Sequence, residues 1–388
     1  MRLFGAPAAR RGGALLRAIL VVLSSLAGLV IALALAEVAL RVLDPVKPRP
    51  LEHPFVNQYV RLEHPRNFTH EISPPAGMPG IDETIRFSTN AYGFRGGELQ
   101  VPKPAGEFRI FAVGGSTTEC SIIDDRNAYP AVVERELARL ADAGRTIRVH
   151  NTAVSGASSD DHVAMIGQRL VHLEPDLIIV FAGINDLTDS IVESDPLHYT
   201  RPLPRGRSRR LLELRSVAIL WRALAGAPER EVQERVYGFY EKLALQAAHP
   251  EVADLPRVDL EPYETNLRTL AGMSRVHGFQ LVFMTQQSTW NSPTDPRTKE
   301  FHHMRYRGGK TYAEAPMDAA LEQFNDLMRG IAGELEVPLY DLAREVPKSL
   351  EFFYDDCHFN TPGSIAAGKN VARFLREQEL VPVAASTH

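Results

Sequence analysis

The chain has 388 residues, 44% of them hydrophobic and 23% charged, which allows two or three structural units with packed cores and excludes wholesale disorder. Its 43 basic and 48 acidic residues give a net charge of −5, which argues against a nucleic-acid-binding protein because such proteins normally carry a basic excess. Two cysteines, Cys120 and Cys357, are too few for a disulfide-rich miniprotein or a four-cysteine zinc module.

The first predicted element is an apolar helix at 18–36, a stretch without charged residues. Such a helix would be about 28 Å long, close to the thickness of a bilayer core. Arginines precede it, at Arg2, Arg10, Arg11 and Arg17. Under the positive-inside rule, residues 1–17 stay in the cytoplasm and the chain after the helix lies outside it, in a periplasm or at the cell surface. We therefore predict a single-pass, uncleaved signal anchor.

Two other interpretations of this segment remain open. Ala34-Leu35-Ala36 resembles a signal-peptidase site, and cleavage there would release the protein. The apolar run is longer than the hydrophobic region of a typical signal peptide, which favours the anchor. A buried helix of a soluble protein is disfavoured by the basic flank and by the position near the N-terminus. The sequence contains no second apolar run of comparable length, so a channel or transporter is excluded.

Residues 37–107 are rich in proline and poor in periodic pattern, which predicts a linker followed by a lead-in segment. Within it, 84–89 is predicted as a strand and 90–93 as a turn.

From residue 108 the pattern becomes regular. Apolar runs predict strands, and helical spacing predicts helices between them. The strands are predicted at 108–113, 147–151, 176–182, 279–285 and 337–342, and the helices at 129–140, 160–173, 261–277, 315–335 and 361–377. This alternation is typical of a parallel sheet with helices on both faces. It predicts an α/β domain over 108–380.

The interval at about 188–258 breaks this rhythm and contains a cluster of arginines between 201 and 215. We predict a largely helical insertion. The arginines are expected to face solvent, and contact with anionic lipid headgroups is the alternative.

Polar residues and glycines follow the predicted strands or precede the last helix. Because ligands bind beyond the carboxyl ends of parallel strands, these residues are expected to share one site. They are Ser116 after the first strand, Gly156 after the second, Asn185 after the third, and Asp355 and His358 before the last helix.

Together these residue types are typical of serine ester chemistry. Ser116 is expected to act as the nucleophile, His358 as its general base and then acid, and Asp355 as the group that orients His358. The backbone N–H groups of Ser116 and Gly156 and the side-chain amide of Asn185 are expected to form the oxyanion hole. Taken alone, the Gly-Gly-Ser turn could instead bind a phosphate, but it lacks the lysine of a P-loop. It also lacks the second glycine of a Gly-x-Ser-x-Gly elbow.

The four blocks resemble those of the SGNH/GDSL serine hydrolase family. The match is to Ser116 in Gly-Gly-Ser-Thr-Thr, Gly156, Asn185 in Gly-x-Asn-Asp, and His358 in Asp-x-x-His, over roughly 108–378. The resemblance implies a flavodoxin-like three-layer α/β/α sandwich with a five-stranded parallel sheet. It also implies ester hydrolysis or acyl transfer without a metal or cofactor. The first block departs from the family pattern, since Gly115 stands where many members have Asp.

Both cysteines lie beside this site in the sequence: Cys120 follows the nucleophile turn, and Cys357 is adjacent to His358. In an oxidising compartment, a Cys120–Cys357 disulfide is therefore expected. The alternative is two buried thiols.

These predictions combine into a membrane-anchored, extracytoplasmic serine esterase that acts through an acyl-enzyme. Its expected substrate is an O-acyl ester, such as an acetyl ester, of an envelope glycan or lipid, and its expected partners include the membrane but no nucleic acid. An O-acyltransferase with the same site is one alternative. A noncatalytic envelope binding protein on a hydrolase scaffold is the other.

Overall fold

The computed structural model describes residues 9–43, 60–192, 239–290, 295–307 and 309–383. Helix α1 (Ala9–Leu43) belongs to one structural unit, and the described residues from 60 onward belong to another. Most of the predicted insertion at about 188–258, including the arginine cluster, lies outside the described residues. Of its last part, residues 239–247 are helical.

Helix α1 contains a 21-residue segment, Ile19–Ala39, with a mean hydropathy of 2.8. Its apolar side chains are exposed, as at Val30 and Leu35. A helix of a soluble protein would bury such side chains, because exposing apolar surface to water is unfavourable. The predicted span at 18–36 lies almost wholly within this segment, which has the length and composition to cross a membrane.

Besides the helical stretch at 239–247 and two short 3₁₀ turns, the described residues of the second unit form ten strands and eight α-helices. In chain order they are β1 (Thr69–Ile72), β2 (Ile85–Ser88), β3 (Glu107–Gly114), α2 (Ser116–Glu119), α3 (Tyr129–Ala138), β4 (Thr146–Asn151), α4 (Ser159–Gln168), β5 (Leu177–Phe181), α5 (Ile184–Val192), β6 (Glu251–Val252), α6 (Glu261–His277), β7 (Gln280–Met284), β8 (Tyr306–Arg307), β9 (Lys310–Tyr312), α7 (Glu314–Glu334), β10 (Leu339–Tyr340), α8 (Leu342–Glu345) and α9 (Thr361–Glu377).

The central sheet has five parallel strands in the order β4-β3-β5-β7-β10. Numbered along the chain, these strands run 2-1-3-4-5, which is the flavodoxin-like order. The prediction of a flavodoxin-like three-layer sandwich is therefore confirmed. The connections reverse direction between β3 and β5, and ligands of such sheets bind at that point.

The two faces of the sheet bury separate apolar clusters. Along β5, Ile178 and Val180 enter one cluster, whereas Leu177, Ile179 and Phe181 enter the other. Helices α4, α6 and α7 cover the first face, and α3 and α9 cover the second. A strand buried on both faces needs apolar residues at every position, which explains the continuous apolar run of β5.

The predicted helices and strands lie within a few residues of the observed ones. Helix α6 begins and ends where it was predicted, with Pro262 in its first turn and Gly278 in the left-handed conformation after its last residue. The helix predicted at 160–173 ends at Gln168 and continues as a separate 3₁₀ turn, Leu170–Leu173. Strand β10 is shorter than predicted because it pairs with β7 alone, at the edge of the sheet.

The described lead-in residues, 60–107, pack within the same unit as the sheet. Strands β1 and β2 pair antiparallel in a separate ribbon. The backbone of Arg95 exchanges two 2.9 Å hydrogen bonds with Asn151 at the end of β4. This segment therefore contacts the sheet edge where the predicted site residues lie.

Candidate active site

Ser116 lies at the turn between β3 and the short helix α2. A Cβ atom at Gly114 would lie 2.3 Å from Thr118 Oγ1, and one at Gly115 would lie 2.3 Å from Asn185 Nδ2. Neither position has room for a side chain, which explains the Gly-Gly pair. The missing side chain at 115 allows the Asn185 amide to approach the backbone next to Ser116.

Ser116, His358 and Asp355 form a continuous hydrogen-bonded chain. His358 Nε2 lies 2.6 Å from Ser116 Oγ. His358 Nδ1 lies 2.7 Å from Asp355 Oδ2 and 2.9 Å from Oδ1. Asp355 Oδ1 also accepts the backbone N–H groups of Cys357 and His358. The structure thus brings together the three side chains predicted for catalysis, with each ring nitrogen of His358 facing one partner.

The electrostatics of this chain favour a charged pair. Burial would raise the pKa of Asp355, but the His358 charge and hydrogen bonds from two histidines lower it below its usual range. Burial would lower the pKa of His358, but the Asp355 carboxylate raises it well above the usual 6.5. The arrangement therefore stabilises the imidazolium that forms when His358 takes a proton from a serine.

The predicted oxyanion donors follow three neighbouring strands, and the Asn185 amide lies beside the backbone of Gly115. Asn185 is on the first turn of α5, and its Nδ2 donates to Ala157 O at 2.8 Å, which leaves its second N–H for a ligand. Among the described residues, no backbone hydrogen bond uses the N–H of Ser116 or Gly156. Gly156 is exposed, and its φ of +81° is a conformation that suits glycine. The carboxyl ends of β3, β4 and β5 thus contribute one donor each.

His303 is a site residue that the sequence did not identify. Its Nε2 lies 3.0 Å from Asp355 Oδ2, so Asp355 contacts two histidines. The backbone N–H of His303 donates to Asp356 Oδ2 at 2.6 Å. From the sequence, His302-His303 in its basic loop is expected to face solvent, with substrate or metal binding as the alternative, and no spacing rule connects it with Asp355.

His303, Asp355 and His358 could also ligate a metal ion, since one donor atom of each lies within 4.8 Å of the others. An ion bound there would use nitrogen and oxygen atoms that now connect Asp355 with His358. It would therefore compete with the hydrogen-bonded chain to Ser116.

Two acidic residues, Asp186 and Glu119, hold the turns around the site. Asp186 Oδ1 accepts the backbone N–H of Ser159 at 3.0 Å, which fixes the start of α4 against α5. Glu119 is buried, contacts the hydroxyl of Ser155 and lies 2.9 Å from His64 Nε2. The lead-in segment therefore contributes His64 to a chain that supports the residue preceding Gly156.

The predicted Cys120–Cys357 disulfide is wrong, since both cysteines are buried free thiols. The two side chains enter the apolar clusters on opposite faces of the sheet. Cys120 Sγ lies 3.4 Å from Thr117 O, and Cys357 Sγ lies 3.5 Å from Met304 Sδ. Burial raises the pKa of both thiols, that of Cys357 to about 11, which disfavours the reactive thiolate.

A cavity of about 390 Å³ opens onto Ser116 and His358. Its walls include the aromatic side chains of Phe239 and Tyr354, and Tyr354 stacks on the His358 ring with centroids 5.5 Å apart. Because they follow the strand predicted at 279–285, Gln286, Trp290 and Asn291 are expected from the sequence to line the site. Gln286 and Trp290 are instead buried away from this cavity. Asn291 lies outside the described residues.

Residues 112–364 match the sequence model of the GDSL-like lipase/acylhydrolase family. The chain belongs to this family. The matched range begins within β3, before Ser116, and extends past His358, so it contains all four blocks on which the resemblance rests. As a member of the GDSL-like family, the protein is a serine ester hydrolase of the SGNH type, and an enzyme is favoured over a noncatalytic binding protein.

Comparison with curated proteins found no match. Among solved structures, an acetylxylan esterase from Geobacillus stearothermophilus is 18% identical, with a TM-score of 0.40 over 72% of this chain and 97% of that chain. An alpha/beta hydrolase from the metagenome of Lake Arreo is 18% identical, with a TM-score of 0.39 over 71% and 96%. A G-D-S-L family lipolytic protein from Desulfitobacterium hafniense is 12% identical, with a TM-score of 0.39 over 69% and 99%.

Proposed function

We propose that Ser116 is the nucleophile of an acyl-enzyme mechanism. The observation that carries this proposal is the chain of contacts from Ser116 Oγ to His358 Nε2 and from His358 Nδ1 to Asp355. His358 takes the Ser116 proton as Oγ bonds to the ester carbonyl carbon. The carbonyl oxygen becomes an oxyanion between the Ser116 N–H, the Gly156 N–H and the Asn185 amide.

The tetrahedral intermediate collapses when the bond to the alcohol oxygen breaks. His358 donates its proton to that oxygen, and the alcohol leaves while the acyl group stays on Ser116. A water molecule then gives a proton to His358 and attacks the acyl-enzyme. Release of the carboxylic acid returns the proton to Ser116. Asp355 orients His358 and stabilises its cation in both halves of the reaction.

The same proposal places the enzyme at the outer side of a membrane. Residues 1–17 lie in the cytoplasm, the apolar segment of α1 spans the bilayer uncleaved, and the hydrolase domain follows a linker. The arginines before the apolar segment of α1 support this orientation, and the exposed apolar surface of that segment supports a membrane span. The substrate is then an O-acyl ester, such as an acetyl ester, of an envelope glycan or lipid.

Hydrolysis of 4-nitrophenyl acetate by the full-length protein in detergent tests the residue roles. Ser116→Ala and His358→Gln are expected to lower kcat by about 10,000-fold or more, because they remove the nucleophile or its base. Asn185→Ala is expected to lower kcat by about 100- to 1,000-fold through the loss of one oxyanion donor.

Ser121→Ala is the matched control, since Ser121 lines the same cavity without contacting His358. It is expected to keep the wild-type rate. Turnover by Ser116→Ala at the rate of the control would refute the nucleophile assignment.

Release of free acetate in the presence of an added oligosaccharide would identify water, and not a sugar hydroxyl, as the acyl acceptor.

A further inference from the structure

Arg307 lines the cavity that opens onto Ser116 and His358. It ends strand β8, and its side chain is partly buried. Among the described residues, its guanidinium makes one hydrogen bond, from Nη1 to the backbone oxygen of Tyr306, at 2.8 Å. Within the described ranges, no carboxylate oxygen lies within 4.0 Å of its guanidinium. Most of its five N–H donors are thus available to a ligand.

The carboxylates around Arg307 are bound to other groups or lie farther away. Asp356 accepts Trp290 Nε1 at 2.7 Å and the backbone N–H of His303 at 2.6 Å. Asp355 contacts His303 and His358. Asp189 on α5 interacts with Arg307 electrostatically without an ion pair. The guanidinium therefore keeps its positive charge at the cavity wall.

Burial lowers the pKa of Arg307 from its usual value, so part of its hydration is already lost. The charges of Asp356 and Asp189 offset part of the cost of burying this cation without pairing with it, and a bound anion would offset more. Lys242, from the helical stretch at 239–247, is a second cation at the wall of this cavity. Much of the remaining wall is apolar and includes Met78, Ile122 and Leu245.

We propose that Arg307 binds an anionic group, a carboxylate or a phosphate, on the ester that Ser116 attacks. The planar guanidinium matches the two oxygens of such a group, and charge-assisted pairs of this kind are stronger than neutral ones. This inference rests on the proposed function and narrows its substrate to acyl esters of acidic alcohols. Uronate-bearing or phosphorylated units are alcohols of that chemistry, and neutral sugars are not.

Hydrolysis of two matched aryl acetates by the full-length protein tests the proposal. 4-Acetoxybenzoate carries a carboxylate, and 4-acetoxybenzamide is its neutral counterpart of nearly the same shape. Each kcat/KM is divided by the rate constant of hydroxide-catalysed hydrolysis to correct for the leaving group. The wild type is expected to prefer the benzoate by about 10-fold or more. A third ester, 4-acetoxyphenyl phosphate, shows whether phosphate or carboxylate is preferred.

Arg307→Gln is expected to abolish the preference for the benzoate. Arg307→Lys is expected to keep part of it, because lysine retains the positive charge but not the paired N–H donors of the guanidinium. Arg126→Gln is the control for net charge. Arg126 is exposed and paired with Asp124 at 2.8 Å, so its loss is expected to leave the ratio unchanged. A wild-type ratio near one, or equal losses on both esters in Arg307→Gln, would overturn the proposal while leaving Ser116-dependent hydrolysis intact.

Binding to the Ser116→Ala protein separates this inference from the proposed function. Titration calorimetry with 4-acetoxybenzoate and 4-acetoxybenzamide measures recognition without turnover. Tighter binding of the benzoate, lost when Arg307→Gln is added, supports the anion site even if Ser116 proves not to be the nucleophile. Equal affinities for the two esters would contradict it.

Discussion

At the scale of single residues, Asp355 contacts two histidines. The Asp-x-x-His spacing predicts its contact with His358, because residues so close in the chain readily meet in a turn. His303 is distant in the sequence and reaches Asp355 only through the fold. Because His303 also hydrogen-bonds to Asp355, the carboxylate charge interacts with two imidazole rings and not with His358 alone. We infer that His303 is a positioning residue that limits how strongly Asp355 attracts the proton on His358.

Replacement of His303 tests this role through the pH profile. The neutral form of His358 is the one that accepts a proton, so kcat/KM is expected to rise with pH through the His358 pKa. Because Asp355 raises that pKa, the midpoint is expected above 6.5. In His303→Ala the Asp355 charge acts on His358 alone, which moves the midpoint up by about 0.5 to 1 pH unit. Because Asp355 is then positioned less firmly, the value of kcat/KM at the high-pH plateau is expected to fall about 10-fold.

His303→Gln provides the control, since its amide N–H can replace the lost donor. The glutamine variant is expected to return the midpoint towards the wild-type value. A midpoint that stays unchanged in His303→Ala, measured with 4-nitrophenyl acetate from pH 5 to 10, would argue against the positioning role.

At the scale of elements, Arg95 connects the lead-in segment with the nucleophile helix. Its guanidinium donates to the backbone oxygens of Glu119, Cys120 and Ile123 at 2.5 to 3.0 Å, and it pairs with Asp125 at 2.7 Å. The last carbonyls of a helix lack partners within the helix, and a cation there is favourable. Arg95 therefore stabilises the C-terminal end of α2, whose N-terminal end carries Ser116.

Loss of Arg95 is expected to destabilise the domain and disturb the nucleophile. Arg95→Ala leaves buried carbonyl oxygens without donors and should lower the free energy of unfolding by about 3 kcal/mol or more. Urea unfolding followed by circular dichroism measures this change, and kcat for 4-nitrophenyl acetate should fall with it under native conditions.

Arg86→Ala is the matched control because Arg86 lies 4.0 Å from the same Asp125 but is exposed. It is expected to change the free energy of unfolding by less than about 0.5 kcal/mol. Similar losses of stability in the two variants would mean that Arg95 stabilises the domain by neutralising the Asp125 charge and not by capping α2.

The sequence predicts those elements whose burial leaves a periodic pattern. Strand β5 is readable because all five of its residues are buried, and α6 because its proline and glycine mark both ends. The disulfide prediction failed for a different reason. The positions of Cys120 near Ser116 and of Cys357 next to His358 in the sequence imply that the two backbones lie close together. Whether the two side chains meet depends on the sheet face towards which each one points. The residue pattern around a turn does not reveal that face.

In the candidate site too, the residues at the ends of periodic elements were predictable and the others were not. Ser116, Gly156 and Asn185 were predictable because parallel strands bring their carboxyl ends to one edge. His64, Arg95, His303 and Arg307 were not, since each reaches the site from a segment without a periodic pattern. Arg95 follows the turn predicted at 90–93, but its role depends on contacts with α2 that the sequence does not show.

At the scale of the whole molecule, we propose that α1 anchors the enzyme in a membrane. We expect the full-length chain to sediment with membranes and to resist extraction by sodium carbonate, because Ile19–Ala39 is long and apolar enough to cross a bilayer. Intact mass measurement should find residues 1–36 retained. Alkaline phosphatase fused after His388 should be active and a fluorescent protein fused there dark, as expected of an extracytoplasmic domain. A mature chain beginning at Glu37 would instead show a cleaved signal peptide.

The central claim is that the turn after β3 carries an activated serine. The most direct measurement is labelling of the full-length protein in detergent with a fluorophosphonate, followed by peptide mass spectrometry. We predict one phosphonylated residue, Ser116, with labelling lost in Ser116→Ala and retained in Ser121→Ala. Labelling of another serine, or none on a folded wild-type protein, would contradict the account.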